Sequence, residues 1–199
     1  MTGRLIRVLP RAQVRDIIRH REPQAAPWAL ISVYSSPKEQ LIGSEEEKVL
    51  KGIGCEKVLN LCVGDYDHSH MEVIKKIGKE EFVFSEEHAK NVIDFVKSFD
   101  EEHQLQSYLT MLVVHCDAGV SRSGAIGLWA CRYLGCDEKE FRRDNPFIHP
   151  NSLIYETLYI ESGMKESYKD FWENTIIEGL RESKIKFIDD KEEDNGKIL

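Results

Sequence analysis

The passage from Met111 to Leu134 constrains this chain more than any other: a run of Leu and Val gives way to a short loop, then to an apolar stretch of helical length. Met111 to His115 is too uniformly apolar for an edge strand and reads as the buried central strand of a parallel sheet. Arg122 to Leu134 reads as a helix ended by Gly135. A buried parallel strand running into a helix requires helices packed over the sheet, so the fold is predicted to be α/β. In such folds ligands bind beyond the carboxyl ends of the strands. Cys116 stands at that position.

Other segments fit the same alternation. Residues 4 to 9 suit a short strand, and Pro10 opens a helix with Val14, Ile17 and Ile18 at helical spacing. The arginines scattered through this start loosely resemble an organellar transit peptide; a strand and then a helix with an arginine-bearing solvated face accounts for them as well. Trp28 to Tyr34 gives a second strand, closed by Ser35-Ser36-Pro37, and Glu45 to Ile53 a helix stopped by glycine. Lys57 to Val63 gives a third strand, broken by Gly64-Asp65-Tyr66-Asp67. Ser85 to His88 resembles a capping box in which His88 replaces the usual Glu. Pro150-Asn151 caps a helix running through Ser162. The expected architecture is a central, mostly parallel sheet of four to five strands flanked by helices. Residues 1–165 form the main domain, and 166–199 hold a helix over Tyr168 to Arg181 and a charged tail expected to fray.

The loop between strand and helix carries the chemistry. It reads His115-Cys116-Asp117-Ala118-Gly119-Val120-Ser121-Arg122-Ser123-Gly124. Small residues at Ala118 and Gly119 allow successive backbone amides to aim at one point, which makes an anion nest at a helix N-terminus. Arg122 adds a forked guanidinium that can grip two phosphate oxygens, a geometry lysine cannot match. The same amides and guanidinium favour thiolate over thiol at a neighbouring cysteine. A thiolate facing a bound phosphoryl group is set for covalent catalysis through a phosphocysteine that water later removes. Ser123 can donate a hydrogen bond to the departing sulfur in that second step.

Composition limits the alternatives. A net charge of -8 opposes broad attraction to nucleic acid or anionic lipid, so any phosphate site must be local. Five cysteines without CxxC spacing argue against a disulfide framework or structural zinc and point to a reduced, cytoplasmic setting. No apolar run is long enough to span a membrane.

With its pattern HCxxGxxRS at His115-Cys116, Gly119 and Arg122-Ser123, the chain resembles the protein tyrosine and dual-specificity phosphatase superfamily. It looks closest to small bacterial and viral members of dual-specificity type. Leu5 to Ile18, Val58 to Asp67, Ser85 to Phe95, Val113 to Leu134 and Pro150 to Leu153 fit that layout, within residues 4 to 162. The resemblance implies a phosphomonoester hydrolase acting on a phosphorylated protein, with neither metal nor other cofactor. Cys116 is the expected nucleophile, and Asp117 to Arg122 form the phosphate-binding loop. Non-protein substrates (RNA 5'-triphosphate, inositol phosphate, sugar phosphate) and a phosphate-recognising pseudoenzyme are the alternatives, with RNA disfavoured by the acidic balance.

General acid catalysis, worth about 100 to 10,000-fold, calls for an aspartic acid to protonate the leaving group. In similar phosphatases it follows the strand preceding the cysteine. That points first to Asp65 and second to Asp67, with Glu86 or Glu87 as further candidates. The spacing from Asp65, 116 minus 65 or 51 positions, is long for a compact dual-specificity phosphatase. His115 is expected to shape the loop rather than move protons, and Asp117 to point outward toward a cation. Asn151 is first a helix cap and secondarily a group that could position water. Cys62 could pair with Cys116 but reads better as a core or edge thiol. His68 and His70 suggest a metal only until further spaced ligands are sought nearby.

Overall fold

The computed structural model describes residues 3–103 and 109–164. The expected helix over 168–181 and the tail beyond it lie outside the described residues. Four strands, β1 (Arg4–Pro10), β2 (Trp28–Tyr34), β3 (Cys55–Cys62) and β4 (Thr110–Cys116), form one sheet in the order β1-β4-β2-β3. Every pairing is parallel, as the apolar strands implied. Around the sheet lie α1 (Arg11–His20), α2 (Ser44–Gly52), α3 (Met71–Ile77), α4 (Glu86–His103), α5 (Arg122–Tyr133), α6 (Glu138–Asp144) and α7 (Ser152–Glu161). Among the described residues no helix is long and apolar enough to cross a membrane.

The sheet is two-sided because its central strands are. All seven residues of β2 are buried, and six of the seven in β4. Alternation along the strands sends Leu9, Trp28, Leu30, Met111 and Val113 to one face, where they pack with Val14 and Ile17 of α1 and Leu50 of α2. Val8 points to the other face, where Gly127 of α5 comes so near that an added Cβ would lie 2.7 Å from its methyl. Helices α4 to α7 gather on that side against β1, β3 and β4. Asp100 of α4 pairs with Arg4, tying this layer to the edge strand.

Helix ends follow the chemistry read from the sequence. The Ser85 hydroxyl accepts from the His88 amide at 3.4 Å, and His88 Nδ1 accepts from the Ser85 amide at 3.1 Å, so the histidine completes the capping box. Asn151 Oδ1 accepts from the Ile154 amide at 3.0 Å. Helices α3 and α6 were not anticipated. Each has seven residues and buries one apolar side chain, Ile74 and Phe141 respectively, too little for a period to register.

Candidate active site

The loop after β4 is held from outside on two sides. The α1 amide of Arg11 donates to the Asp117 carbonyl at 3.1 Å. Behind α6, the His149 and Asn151 amides donate to the carbonyls of Val120 and Ser121 at 3.1 and 3.2 Å. All peptide bonds here are trans, so each N–H opposes the carbonyl of its own peptide unit. The amides of Ala118, Ser121 and Arg122 therefore turn away from these anchors. Gly119 makes the bend possible: its φ is +73°, and an added Cβ would lie 2.5 Å from the backbone nitrogen of Pro10.

Ser121 occupies the N-cap of α5 yet makes no side-chain capping bond. Its hydroxyl donates instead to Asp65 Oδ1 at 2.7 Å. The first-turn amides of α5 thus lack the side-chain acceptor that a cap serine ordinarily supplies, which leaves the helix N-terminus open to an anion.

Arg122 is 5% exposed. Its Nη1 donates to Ser35 Oγ at 2.8 Å and to the Val63 carbonyl at 2.9 Å, so the ends of β2 and β3 fix the guanidinium. Its buried Nε has no hydrogen-bond partner, and the nearest carboxylate oxygen, Asp65 Oδ2, is 4.0 Å away. A buried cationic donor in that state is costly unless an anion completes it. Cys116 is 2% exposed, and its sulfur lies 3.0 Å from the Ser123 hydroxyl.

The two aspartates separate clearly. Asp65 Oδ1 accepts from Ser121 and also from Asn151 Nδ2 at 3.0 Å, while Oδ2 looks toward Arg122. Asp67 turns to its own chain, capping the short 3-10 turn His68–His70. The Ser69 hydroxyl and amide hold its carboxyl below the usual range, and His70 adds to the effect. Glu86 and Glu87 sit in the first turn of α4.

The remaining candidates have local partners. Asp117 is exposed and faces Arg11, with Nε to Oδ1 at 3.6 Å, which matches its expected outward turn to a cation. Asn151 does more than cap: its amide group donates to Asp65 and to the Tyr66 carbonyl, both at 3.0 Å. His68 pairs with Glu156 at 2.6 Å and His70 with Asp67 at 2.9 Å, so the two rings serve different partners. Burial, and secondarily Glu39, pushes the Cys62 thiol up.

His115 is fully buried with its Nε2 unpartnered. Burial lowers its pKa to about 4; the Cys116 carbonyl opposes that, and Arg11 and Arg122 reinforce it. Since the folded value lies below the ordinary one, the unfolded chain binds the extra proton between pH 6.5 and 4. The stability contribution is complete above pH 6.5 and is lost as pH falls toward 4. Between pH 7 and 5 the loss should be about 2 kcal/mol. Urea midpoints at the two pH values should diverge less in His115→Asn than in the wild type; an unchanged slope would assign the acid sensitivity elsewhere.

Ser35, the Val63 carbonyl and the bonds from Ser121 and Asn151 to Asp65 were not foreseen. Ser35 and Arg122 lie 87 positions apart, and no local pattern links them.

No known family profile matches the chain, and no curated protein matches it. Among solved structures, the active form of Tk-PTP is 16% identical, with 82% of this chain and 94% of that one covered and a TM-score of 0.47. The human tyrosine phosphatase-like serine/threonine/tyrosine-interacting protein is 13% identical, covering 78% and 85%, with a TM-score of 0.43. The core catalytic domain of the PP-IP phosphatase SIW14 from S. cerevisiae is 14% identical, covering 85% and 86%, with a TM-score of 0.39.

Proposed function

We propose that the chain is a cysteine-dependent phosphomonoester hydrolase acting on phosphorylated protein side chains, of tyrosine or dual-specificity type. The observation that carries this reading is the buried, incompletely bonded guanidinium of Arg122 at an uncapped helix N-terminus whose next residue, Ser123, places its hydroxyl 3.0 Å from the Cys116 sulfur. In the first step Cys116 sulfur attacks phosphorus, the bond to the leaving oxygen breaks, and Asp65 delivers a proton to that oxygen. Arg122 and the loop amides hold the equatorial oxygens. Water then attacks the phosphocysteine, Asp65 takes its proton, and the sulfur departs with the Ser123 hydroxyl donating to it.

Asp65 is favoured over Asp67 by the disposition of its oxygens. Oδ1 already accepts two hydrogen bonds, so a proton belongs on Oδ2, the oxygen facing Arg122. Asp65→Asn should lower kcat for an alkyl or poorly activated aryl phosphate by about 100 to 10,000-fold. Turnover of p-nitrophenyl phosphate, whose leaving group needs little protonation, should fall much less. Asp67→Asn should change neither. The opposite assignment follows if Asp67→Asn shows the leaving-group dependence, and absence of any wild-type turnover would refute the hydrolase itself.

A further inference from the structure

A groove of about 630 Å³ is lined by α7, the start of α4 and the turn that follows Asp65. His68, three residues beyond Asp65, is the lining residue that connects the groove in sequence to the site. Its long wall is α7, whose cap residue Asn151 holds Asp65 and whose Leu153, Glu156, Ile160 and Glu161 face the groove. From Leu153 to Glu161 a helix advances about 12 Å, room for about four residues of an extended peptide.

The lining has a definite chemical character. Phe84, Leu153 and Ile160 give an apolar floor, and Ile160 is 62% exposed, unusual for an isoleucine on a helix that otherwise buries its large side chains. The rims are acidic: Glu86 and Glu87 from the first turn of α4 face Glu156 and Glu161 from α7. Among the described residues no lysine or arginine lines the groove, and His68 is engaged by Glu156. Lys90 reaches Glu161 only at 3.8 Å. Such a surface repels phosphate-rich ligands and attracts cations carried on aliphatic stems.

We propose that this groove docks a basic segment of a phosphoprotein substrate, with Lys or Arg beside an aliphatic residue, several positions from the phosphorylated side chain. The proposal rests on the protein-phosphatase reading above and gives it a sequence preference. The test compares two phosphotyrosine peptides of equal length with the full chain, one carrying Arg, Lys and Ile in the flank and the other Glu and Ser. p-Nitrophenyl phosphate, too small to reach the groove, serves as reference. The basic peptide should have a kcat/KM about three- to tenfold higher at low salt, and the gap should close as ionic strength rises. Ile160→Ser combined with Glu161→Gln should remove the preference while leaving p-nitrophenyl phosphate turnover unchanged. Equal kcat/KM for the two peptides, peptides refused while p-nitrophenyl phosphate is hydrolysed, or a preference untouched by the double substitution would each overturn the docking proposal. If no phosphate ester is hydrolysed, the catalytic reading fails, and the docking proposal with it.

Discussion

Cys116→Ser should lower turnover of p-nitrophenyl phosphate by about 10⁴-fold or more, the scale on which loss of a nucleophile is felt. A serine hydroxyl in place of the thiol would have no base in hydrogen-bond contact: the partner of the sulfur, Ser123, offers only a hydroxyl, and His115 directs Nδ1 toward the Cys116 carbonyl at 3.4 Å. Anion binding should persist. Arg122 is positioned by Ser35 and Val63, and the loop carbonyls by Arg11, His149 and Asn151, none of which depends on the sulfur. Titration with tungstate or phosphate should therefore give nearly the wild-type affinity. Retained turnover would refute covalent catalysis at this position, whereas lost anion binding would show that the sulfur shapes the loop.

Gly119→Ala should be the most disruptive single-methyl change in the site. The residue is left-handed, and its added Cβ would fall 2.5 Å from Pro10 nitrogen and 2.6 Å from the Leu9 carbonyl carbon. Both obstacles are backbone in a paired strand, so neither can swing aside. Strain and displacement together should cost about 3 kcal/mol or more, and protein that still folds should lose at least about 100-fold in kcat/KM through misplaced amides. Gly135→Ala supplies the comparison. Its φ is +67°, but nothing lies within 4 Å of the new Cβ, so only the conformational penalty of about 1 kcal/mol remains. Equal urea midpoints for the two variants would show that the loop moves away from β1 at little cost.

The loop was legible because its determinants are contiguous. Strand, small residues, arginine and helix follow one another, and each has a local signature in residue type or period. Gly119 could be picked out for the same reason, although the strand it presses against could not. Asp65 emerged only as the first of two acids at a strand end. What distinguishes it from Asp67 is the pair of donors Ser121 and Asn151, brought in from 56 and 86 positions away. The strand order is equally long-range: β4 enters between β1 and β2, and buried strands carry no mark of their neighbours. Helix α6 went unread because Asp137 caps it through two amides while Phe141 is its one buried side chain.

The outside anchoring of the loop bears on how the protein is born. Arg11 emerges early from the ribosome and Asn151 late, and the loop they share is made in between. Pro10 pairs with Cys116 across the sheet, a contact of high sequence separation that must wait for β4. Until residues 149–151 are synthesised, the carbonyls of Val120 and Ser121 lack their partners and Asp65 lacks its amide donor. A nascent chain that already contains the cysteine and the arginine is therefore still without an assembled clamp. The hydrolase proposed above would become competent only once residues 149–151 have joined the fold.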